Sequence, residues 1–385
     1  MKLVVSSDTH LNCHYARMSP AQLEERRRRI RAAFIATVEY AIAHEAAAYL
    51  HAGDFFDMPD PRVAEIIEVT AQLGRLKAAG IPAIAIAGGH DVPRVANIGA
   101  SPLRVFQEAG LLHVFGTSRE VTPLCLEDGD ARVFVGGISY NPRLGPDDDP
   151  LAGVTMPHDA GLGLLMLHYG VEGHIHPSAN EPIITDESLR SVPGVALFVI
   201  GHMHPHALYH VGGRTVLIVG STERFDFGER GISPGFWELG VRAGDVDARH
   251  ITIPAQPLDQ VTITAAQLPP DDPTGALVSR VISASNPDQM LRLVVDGTVD
   301  RDIYHAIRWL EVYSEGAARN FHFQLDTHGL DVRGERAMET NGGPISVAEE
   351  IRQAAQRMMD SAGDEAEVLL LAEARDLLLD KYGNT

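Results

Sequence analysis

Two kinds of hydrophobic pattern alternate along the first two thirds of the chain. Short, nearly continuous apolar runs such as "KLVVSS", "PAIAIAGG" and "GLGLLMLH" predict strands that are buried on both faces. Between the early runs, the stretches 20–44 and 61–79 have apolar residues at helical spacing. Buried strands separated by helices predict a layered α/β domain that extends to about residue 253.

The composition changes after residue 253. The stretch "IPAQPLDQ" (253–260) and the Asp/Pro-rich "LPPDDPTG" are typical of a domain exit and a linker. Short strand patterns follow, and the end of the chain is strongly helical. We therefore expect a first domain over 1–253, a small α+β domain over 254–340 and a helical C-terminal segment over 341–385.

The charge balance bears on the class of ligand. The chain has 385 residues and a formal net charge of −20, which argues against a general binder of the phosphate backbone. Bound divalent cations would reverse the sign of the charge locally. The basic run "EERRRRIR" (24–31) fits either a solvated helix face or a local anion-binding edge, and the sequence leaves both readings open.

The sequence also bears on the compartment. Its two cysteines form no CxxC motif, which fits a reducing cytosol. No apolar run reaches the roughly 18 residues of a membrane span, and the N-terminus lacks the pattern of a signal peptide. We expect a cytoplasmic protein that does not interact with a membrane.

Aspartate and histidine recur at the C-terminal ends of five predicted strands. These residues are Asp8, His10, Asp54, His90, Asp91, His168, His202 and His204. In open α/β sheets the ligand site lies outside the carboxyl ends of the strands, so we expect these side chains to meet. Oxygen and imidazole ligands without thiolate suit Mn²⁺, Fe²⁺ or Zn²⁺. The set contains enough donors for two ions bridged by one carboxylate.

The ordered motifs "SDTHLN", "HAGDFFD", "AGGHD", "LMLHYG" and "VIGHMH" resemble those of the calcineurin-like metallophosphoesterases. Within that superfamily, "VGSTERFDFGERG" (219–231) resembles the SbcD-type DNA double-strand-break repair nucleases. The resemblance covers most of residues 1–253. It implies a layered sandwich of two mixed β-sheets flanked by helices, with a small capping domain and a helical C-terminal tail.

The resemblance also implies roles for the strand-end residues. It assigns Asp8, His10 and His204 to one metal, Asp54 to a bridging position, and His168 and His202 to the second metal. His90 would face the leaving-group oxygen, and Asp91 would orient the His90 ring. The implied cofactor is a pair of divalent ions per chain, with Mn²⁺ expected.

One position departs from the family pattern. The family has Asn before the histidine of "AGGHD", whereas this chain has Gly89, which carries no side-chain oxygen. Water could fill the place, a nearby side chain such as Asn12 or Asn97 could substitute, or the second site could be empty without substrate. We favour a retained but weaker second metal site.

Further residues are candidates for supporting the site or contacting substrate. They are Asn12, His51, Asp57, Gly89, His206 and Arg224. Arg224 is a candidate phosphate-positioning group, but Glu223, Asp226 and Glu229 nearby make an ion-paired loop an equal alternative.

The favoured hypothesis is a metal-dependent DNA exo- or endonuclease subunit of an SbcCD-like repair and recombination complex. The resemblance implies DNA, an SbcC-type ATPase and a second copy of the chain as partners, and the amphipathic C-terminal helix suits docking on the ATPase. One alternative is a phosphodiesterase acting on small substrates. The other is a scaffold that is catalytically weakened because Gly89 replaces the motif Asn.

Overall fold

The computed structural model describes residues 1–93, 99–175, 180–242, 244–333, 347–360 and 365–382. These residues divide into two compact units. The first unit comprises Met1–Ile263, Thr274–Val295 and Arg308–Thr327, and the second comprises Thr264–Pro273, Asp296–Ile307 and His328–Thr385. The predicted domain boundaries at 253 and 340 stay a prediction, and the second of them falls outside the described residues.

The elements follow one another as a mixture of strands and helices. The strands are β1 (Lys2–Ser6), β2 (Ala48–His51), β3 (Ala83–Ile86), β4 (His113–Phe115), β5 (Leu124–Asp128), β6 (Ala131–Gly137), β7 (Leu162–His168), β8 (Gly170–Val171), β9 (Ile183–Ile184), β10 (Leu197–Gly201), β11 (Ala207–Val211), β12 (Arg214–Ile218), β13 (Gly235–Arg242), β14 (Asp245–Thr252), β15 (Leu258–Thr264), β16 (Met290–Asp300), β17 (His322–Asp326) and β18 (Leu330–Arg333). The helices are α1 (Pro20–Ala43), α2 (Val63–Ala78), α3 (Leu103–Glu108), α4 (Asp186–Ser191), α5 (Pro273–Ala284), α6 (Arg301–Ala306), α7 (Trp309–Arg319), α8 (Val347–Asp360) and α9 (Glu365–Tyr382). Short 3₁₀ helices span Phe227–Gly231 and Ala265–Gln267.

The first unit is built on two six-stranded mixed sheets. One has the order β14-β13-β1-β2-β3-β4 and the other the order β11-β12-β10-β7-β6-β5. Strands β1 to β4 are parallel, as are β6, β7, β10 and β12, while antiparallel strands complete the edges. The carboxyl ends of the parallel strands in each sheet therefore lie along one edge, where the sequence places its aspartates and histidines.

The two sheets pack face to face and are covered by helices on their outer faces. Side chains such as Val5 and Met166 are fully buried in a core between the sheets. The other face of the first sheet packs on α1 and α2 through residues such as Phe34 and Leu73. Burial on both faces explains the continuous apolar runs. The predicted sandwich of two mixed sheets flanked by helices is confirmed.

The arginine run of α1 is occupied by ion pairs. Arg26 is fully buried and lies 3.0 Å from a carboxylate oxygen of Glu223, which is itself 2% exposed. Arg28 and Arg29 both pair with Glu25 on the surface of the helix. The run is therefore a salt-bridged helix face with one residue that ties α1 to the loop after β12.

Smaller elements complete the two units. In the first unit β15, β16 and β17 form a sheet, and α7 packs on β17 where Gly316 approaches Phe323. In the second unit β18 pairs with the end of β16, and α8 packs against α9. Among the helices that the structure describes, none combines the length and apolar character that a bilayer crossing requires.

Candidate metal centre

The six side chains predicted as metal ligands lie together in two groups of three. In each group, one potential ligand atom from each residue lies within 4.8 Å of the others. The first group is Asp8, His10 and His204, and the second is Asp54, His168 and His202. They reach the site from the ends of β1, β2, β7 and β10, so four strands in two sheets build one centre.

The first group has the spacing of two imidazoles that share a cation. His10 Nε2 and His204 Nε2 are 3.2 Å apart. Two ligand atoms that each lie about 2.1 Å from one ion are about 3.0–3.4 Å apart at ordinary bond angles. His204 Nδ1 lies 2.5 Å from a carboxylate oxygen of Glu229, which leaves Nε2 to face the group. Glu229 thus fixes the orientation of the His204 ring.

The second group contains a buried nitrogen that lacks a hydrogen bond. His168 Nδ1–H donates to the Ala52 carbonyl at 2.8 Å, so Nε2 is the ring nitrogen that faces the group. That Nε2 lies 3.1 Å from a carboxylate oxygen of Asp54, and within the described part of the chain it has no hydrogen-bond partner. His202 Nε2 lies 2.9 Å from a carboxylate oxygen of Glu181. An orphaned imidazole nitrogen beside a carboxylate fits a cation-binding site.

The electrostatics of the centre favour positive charge. Asp8 and Asp54 are 0% and 2% exposed. Burial acts to lower the pKa of His168, but Asp54 and Asp8 outweigh it and raise that pKa to about 10. Burial likewise opposes the ionised form of Asp54, yet the neighbouring histidines hold the pKa of Asp54 well below its usual range. Divalent cations would supply the charge that these carboxylates require, so the donors present fit the implied metal pair.

The backbone at the centre is held in an unusual conformation. Five of the six non-glycine residues with positive φ in the described part of the chain belong to this region. They are Asp8 (φ 49°), His10 (φ 45°), Asn12 (φ 72°), Asp54 (φ 51°) and His202 (φ 90°). Such conformations are uncommon outside glycine and cluster at functional sites.

Close approach of the chain explains one of the motif glycines. A Cβ atom on Gly88 would overlap the carboxylate and backbone nitrogen of Asp54 and would lie 2.7 Å from His168 Nε2. Only glycine therefore fits between these two residues. At Gly89, by contrast, a Cβ would meet only ring carbons of Tyr140, at 4.0 Å.

His90 stands at the mouth of the centre. Its backbone N–H donates to the Asp54 carboxylate at 2.8 Å, and its side chain is 49% exposed. Its ring contacts the His10 ring edge to face, with centroids 4.8 Å apart. Its Nδ1–H donates to the carbonyl of Asp57 at 2.8 Å, which leaves Nε2 free for a ligand.

The prediction that Asp91 orients the His90 ring is wrong. Asp91 is fully buried, and its carboxylate accepts hydrogen bonds from the backbone N–H groups of Phe55, Phe56 and Gly88. Because these backbone N–H groups occupy the Asp91 carboxylate, it is not available to the neighbouring His90 ring. Asp91 thus holds the two motif loops together, while Asp57 positions His90.

Three of the other candidate residues lie next to the metal-ligand groups. Asn12 is buried, and its Oδ1 has no hydrogen-bond partner within the described residues. His51 is buried, with Nε2 2.8 Å from the Thr9 hydroxyl. A carboxylate oxygen of Asp57 lies 3.4 Å from His10 Nδ1. Asn97, the other proposed substitute for the motif Asn, lies outside the described residues.

The remaining candidates point away from a substrate role. His206 stacks on the His250 ring, with centroids 3.8 Å apart. The Arg224 guanidinium donates to the carbonyls of Ile232 and Gln256, at 3.0 and 3.3 Å. In the described structure Arg224 therefore ties its loop together through backbone carbonyls and not through the carboxylates of the predicted ion pairs.

Two glutamates at the centre were not predicted. Glu229 lies in the quoted stretch 219–231, where it was considered only as a member of an ion-paired loop, and its spacing from "GHMH" gave no sign of the contact with His204. Glu181 lies in a polar segment with no motif around it. The family resemblance of the stretch 219–231 gave a signal at Glu229 without its contact, whereas Glu181 could not have been found from the sequence pattern.

Two adjoining clefts open onto the centre. One has a volume of about 790 Å³ and is lined in part by Tyr140, Pro142 and Glu181. The other, of about 240 Å³, is lined by residues of the first group and Phe225. Both are lined by Asp54, Asp57, His90 and His202. A substrate in either cleft would therefore meet the same side chains.

Comparison with known proteins gives relatives that are named as DNA repair proteins. The chain is 28% identical over 225 residues to the DNA double-strand break repair protein Mre11 of Sulfolobus acidocaldarius, a match that covers 58% of this chain and 55% of that protein. It is 29% identical over 266 residues to the Mre11 of Haloferax volcanii, which covers 69% of this chain and 55% of that protein. These matches span about half the length of the relatives.

Both relatives are named as DNA double-strand break repair proteins, the kind of protein to which the narrower resemblance pointed. Among solved structures, the calcineurin-like phosphoesterase YfkN of Bacillus subtilis aligns with 66% of this chain and 90% of its own, at 11% identity and a TM-score of 0.37. The calcineurin-like phosphoesterase family matches residues 1–206, more than half of the chain. The chain therefore belongs to the calcineurin-like phosphoesterases, as its motifs predicted.

Proposed function

We propose that this protein is a divalent-metal-dependent phosphodiester hydrolase that acts on DNA ends or hairpins. The observation that carries the proposal is the convergence of six Asp and His side chains into two adjacent groups of three. Membership of the phosphoesterase family supports the type of bond that is hydrolysed. Similarity to relatives named as DNA double-strand break repair proteins supports DNA as the substrate.

The side chains of the centre divide the chemistry among them. Asp8, His10 and His204 would hold one ion, and Asp54, His168 and His202 the other. Bound ions of this kind activate a water nucleophile and neutralise charge on a phosphoryl group, and we expect Mn²⁺ in this role. His90 has its Nδ1 occupied by the Asp57 carbonyl, so its Nε2 is the atom that can protonate a departing oxygen.

The proposed partners rest on the resemblance and on the end of the chain. We infer that an SbcC-type ATPase binds the C-terminal helices, and that two copies of the chain pair. Leu370, Leu377 and Leu378 of α9 are 66%, 71% and 47% exposed, which is apolar surface suited to a partner. A cytoplasmic location and a role in DNA repair and recombination belong to the same proposal.

The test compares two substrates with the full chain in Mn²⁺. Linear duplex DNA and bis(p-nitrophenyl) phosphate should both be hydrolysed, and His168→Ala should lower both rates at least 100-fold because the second group loses a ligand. His113→Ala, an exposed histidine on β4, is the matched control and should keep the wild-type rates. If the wild-type chain hydrolyses neither of the two substrates, the proposal is contradicted.

A phosphodiesterase acting on small substrates is the second candidate. The 790 Å³ cleft beside the second group is of a size that encloses a small ligand. A net charge of −20 also opposes the approach of duplex DNA. Hydrolysis of the chromogenic ester alone, with DNA intact in the presence of Mn²⁺, would favour this function over the nuclease.

The weakened scaffold is distinguished by metal content. A chain that retains fewer than one Mn²⁺ per molecule after loading, and that hydrolyses neither substrate, would have lost its catalytic function. A large gain of hydrolysis in Gly89→Asn would point to the same conclusion, since that change restores the side chain found in the family pattern.

A further inference from the structure

The second group has open space on one side. Asp54, His168 and His202 supply its three side chains, and Gly89 lies in the same cleft without a side chain of its own. A Cβ on Gly89 would meet only the Tyr140 ring, at 4.0 Å. With three protein ligands and an open flank, the affinity for a second ion depends on how strongly each of the three binds.

Glu181 reaches this group from a separate segment. Its carboxylate lies 2.9 Å from His202 Nε2, and its side chain is only 26% exposed. The segment is anchored by the pairing of β9 with β8, in which Gly170, two residues after His168, is opposite Ile183. A Cβ on Gly170 would lie 2.5 Å from Ile175 Cδ1 and 3.1 Å from a carboxylate oxygen of Glu181, so the glycine leaves space for both side chains.

The contact between Glu181 and His202 resembles the contact between Glu229 and His204, the second histidine of "GHMH". His204 has Glu229 at its Nδ1, and His202 has Glu181 at its Nε2. Each carboxylate occupies one ring nitrogen and leaves the other for a ligand, Nδ1 in the case of His202. A carboxylate that accepts the N–H of a ligating imidazole fixes the ring and increases its basicity.

We propose that Glu181 is the positioning residue of the second metal site, and that it strengthens His202 as a ligand in compensation for the side chain that Gly89 lacks. The inference rests on the proposed function in one respect, that the two groups bind divalent ions. It assigns a role to a residue outside every motif that identified the family.

The test measures metal binding without substrate. Free Mn²⁺ is titrated by its EPR signal against the full wild-type chain, Glu181→Ala, Glu181→Gln and Glu187→Ala. Glu181→Ala should weaken the second ion 10- to 100-fold and leave the first unchanged, while Glu181→Gln, which keeps an acceptor oxygen, should lose less. Glu187→Ala, an exposed glutamate on α4, should bind as wild type does.

Rescue provides a second readout that a merely structural role would not give. Gly89→Asn in the Glu181→Ala background should restore the second affinity to within a few-fold of wild type, and the visible spectrum of Co²⁺ at the second site should change in Glu181→Ala. Unchanged affinity in Glu181→Ala would overturn the inference. So would equal weakening of both ions without rescue, because a general loss of structure would then explain it.

The two proposals can fail separately. A chain that binds two ions, shows the Glu181 effect and yet leaves DNA and the small ester intact would reject the proposed function and leave this inference standing. A chain that hydrolyses DNA and binds Mn²⁺ with the same affinity in Glu181→Ala would reject the inference alone.

Discussion

Gly88→Ala is the smallest change that should disable the centre. The added Cβ would overlap the carboxylate and the backbone nitrogen of Asp54 and press on His168 Nε2. To regain an ordinary contact, Asp54 must move by about 1 Å. A misplacement of that size costs about 100-fold in rate, or about 2.7 kcal/mol of transition-state stabilisation. We therefore expect kcat/KM to fall at least 100-fold.

The assay is hydrolysis of bis(p-nitrophenyl) phosphate in saturating Mn²⁺, with metal content and far-UV circular dichroism recorded on the same samples. Gly74→Ala is the matched control, because a Cβ there meets nothing within 4 Å and lies in α2. The control should keep the wild-type rate. A folded Gly88→Ala chain with kcat/KM within threefold of wild type would refute the steric reasoning and the placement of Asp54.

Four further outcomes are expected. His90→Ala should lower kcat by 10²–10⁴ with metal content unchanged; loss of metal would mean that His90 is a ligand. Arg26→Met should lower the free energy of unfolding in urea by about 3–5 kcal/mol, since it strands the buried Glu223, and a second change, Glu223→Met, should recover much of the loss. Maleimide at pH 8 should label the exposed Cys125 but not Cys13, because burial raises the pKa of the Cys13 thiol to about 12, so almost no thiolate is present; labelling of both would contradict this. Mn²⁺ at 100 times its Kd should stabilise the fold by about 2.7 kcal/mol, seen as a higher Tm that EDTA reverses, and an unchanged Tm would speak against tight binding.

The sequence was most informative where a local residue pattern has a single structural explanation. Continuous apolar runs that lead into Asp or His, in some cases through a Gly, could be assigned to strands, and the edge rule for parallel sheets brought Asp8, Asp54 and His202 to one place. The edge rule placed the six side chains along the carboxyl ends of the strands, and the family resemblance was needed to divide them between two metals.

What the sequence did not reveal depends on contacts between distant segments. Strand β14 has no continuous apolar run, because it alternates half-buried and exposed positions at a sheet edge, and in β13 a glutamate interrupts the apolar residues. Asp91 adjoins His90 in sequence, yet its carboxylate is taken up by the backbone of Phe55 and Phe56, 36 and 35 residues away. Glu181 reaches His202 only because β8 and β9 pair.

The left-handed backbone at the centre has a consequence for how this protein can change. Each such residue costs at most about 1–2 kcal/mol, and less for Asp and Asn, so the five together store several kcal/mol, a sizeable share of the net stability of an ordinary domain. The sandwich must therefore be stronger than a sandwich without such a centre would need to be. A descendant that abandoned catalysis could relax these residues and become more heat-resistant, so thermal tolerance gained together with lost activity would be a signature of decay in this lineage.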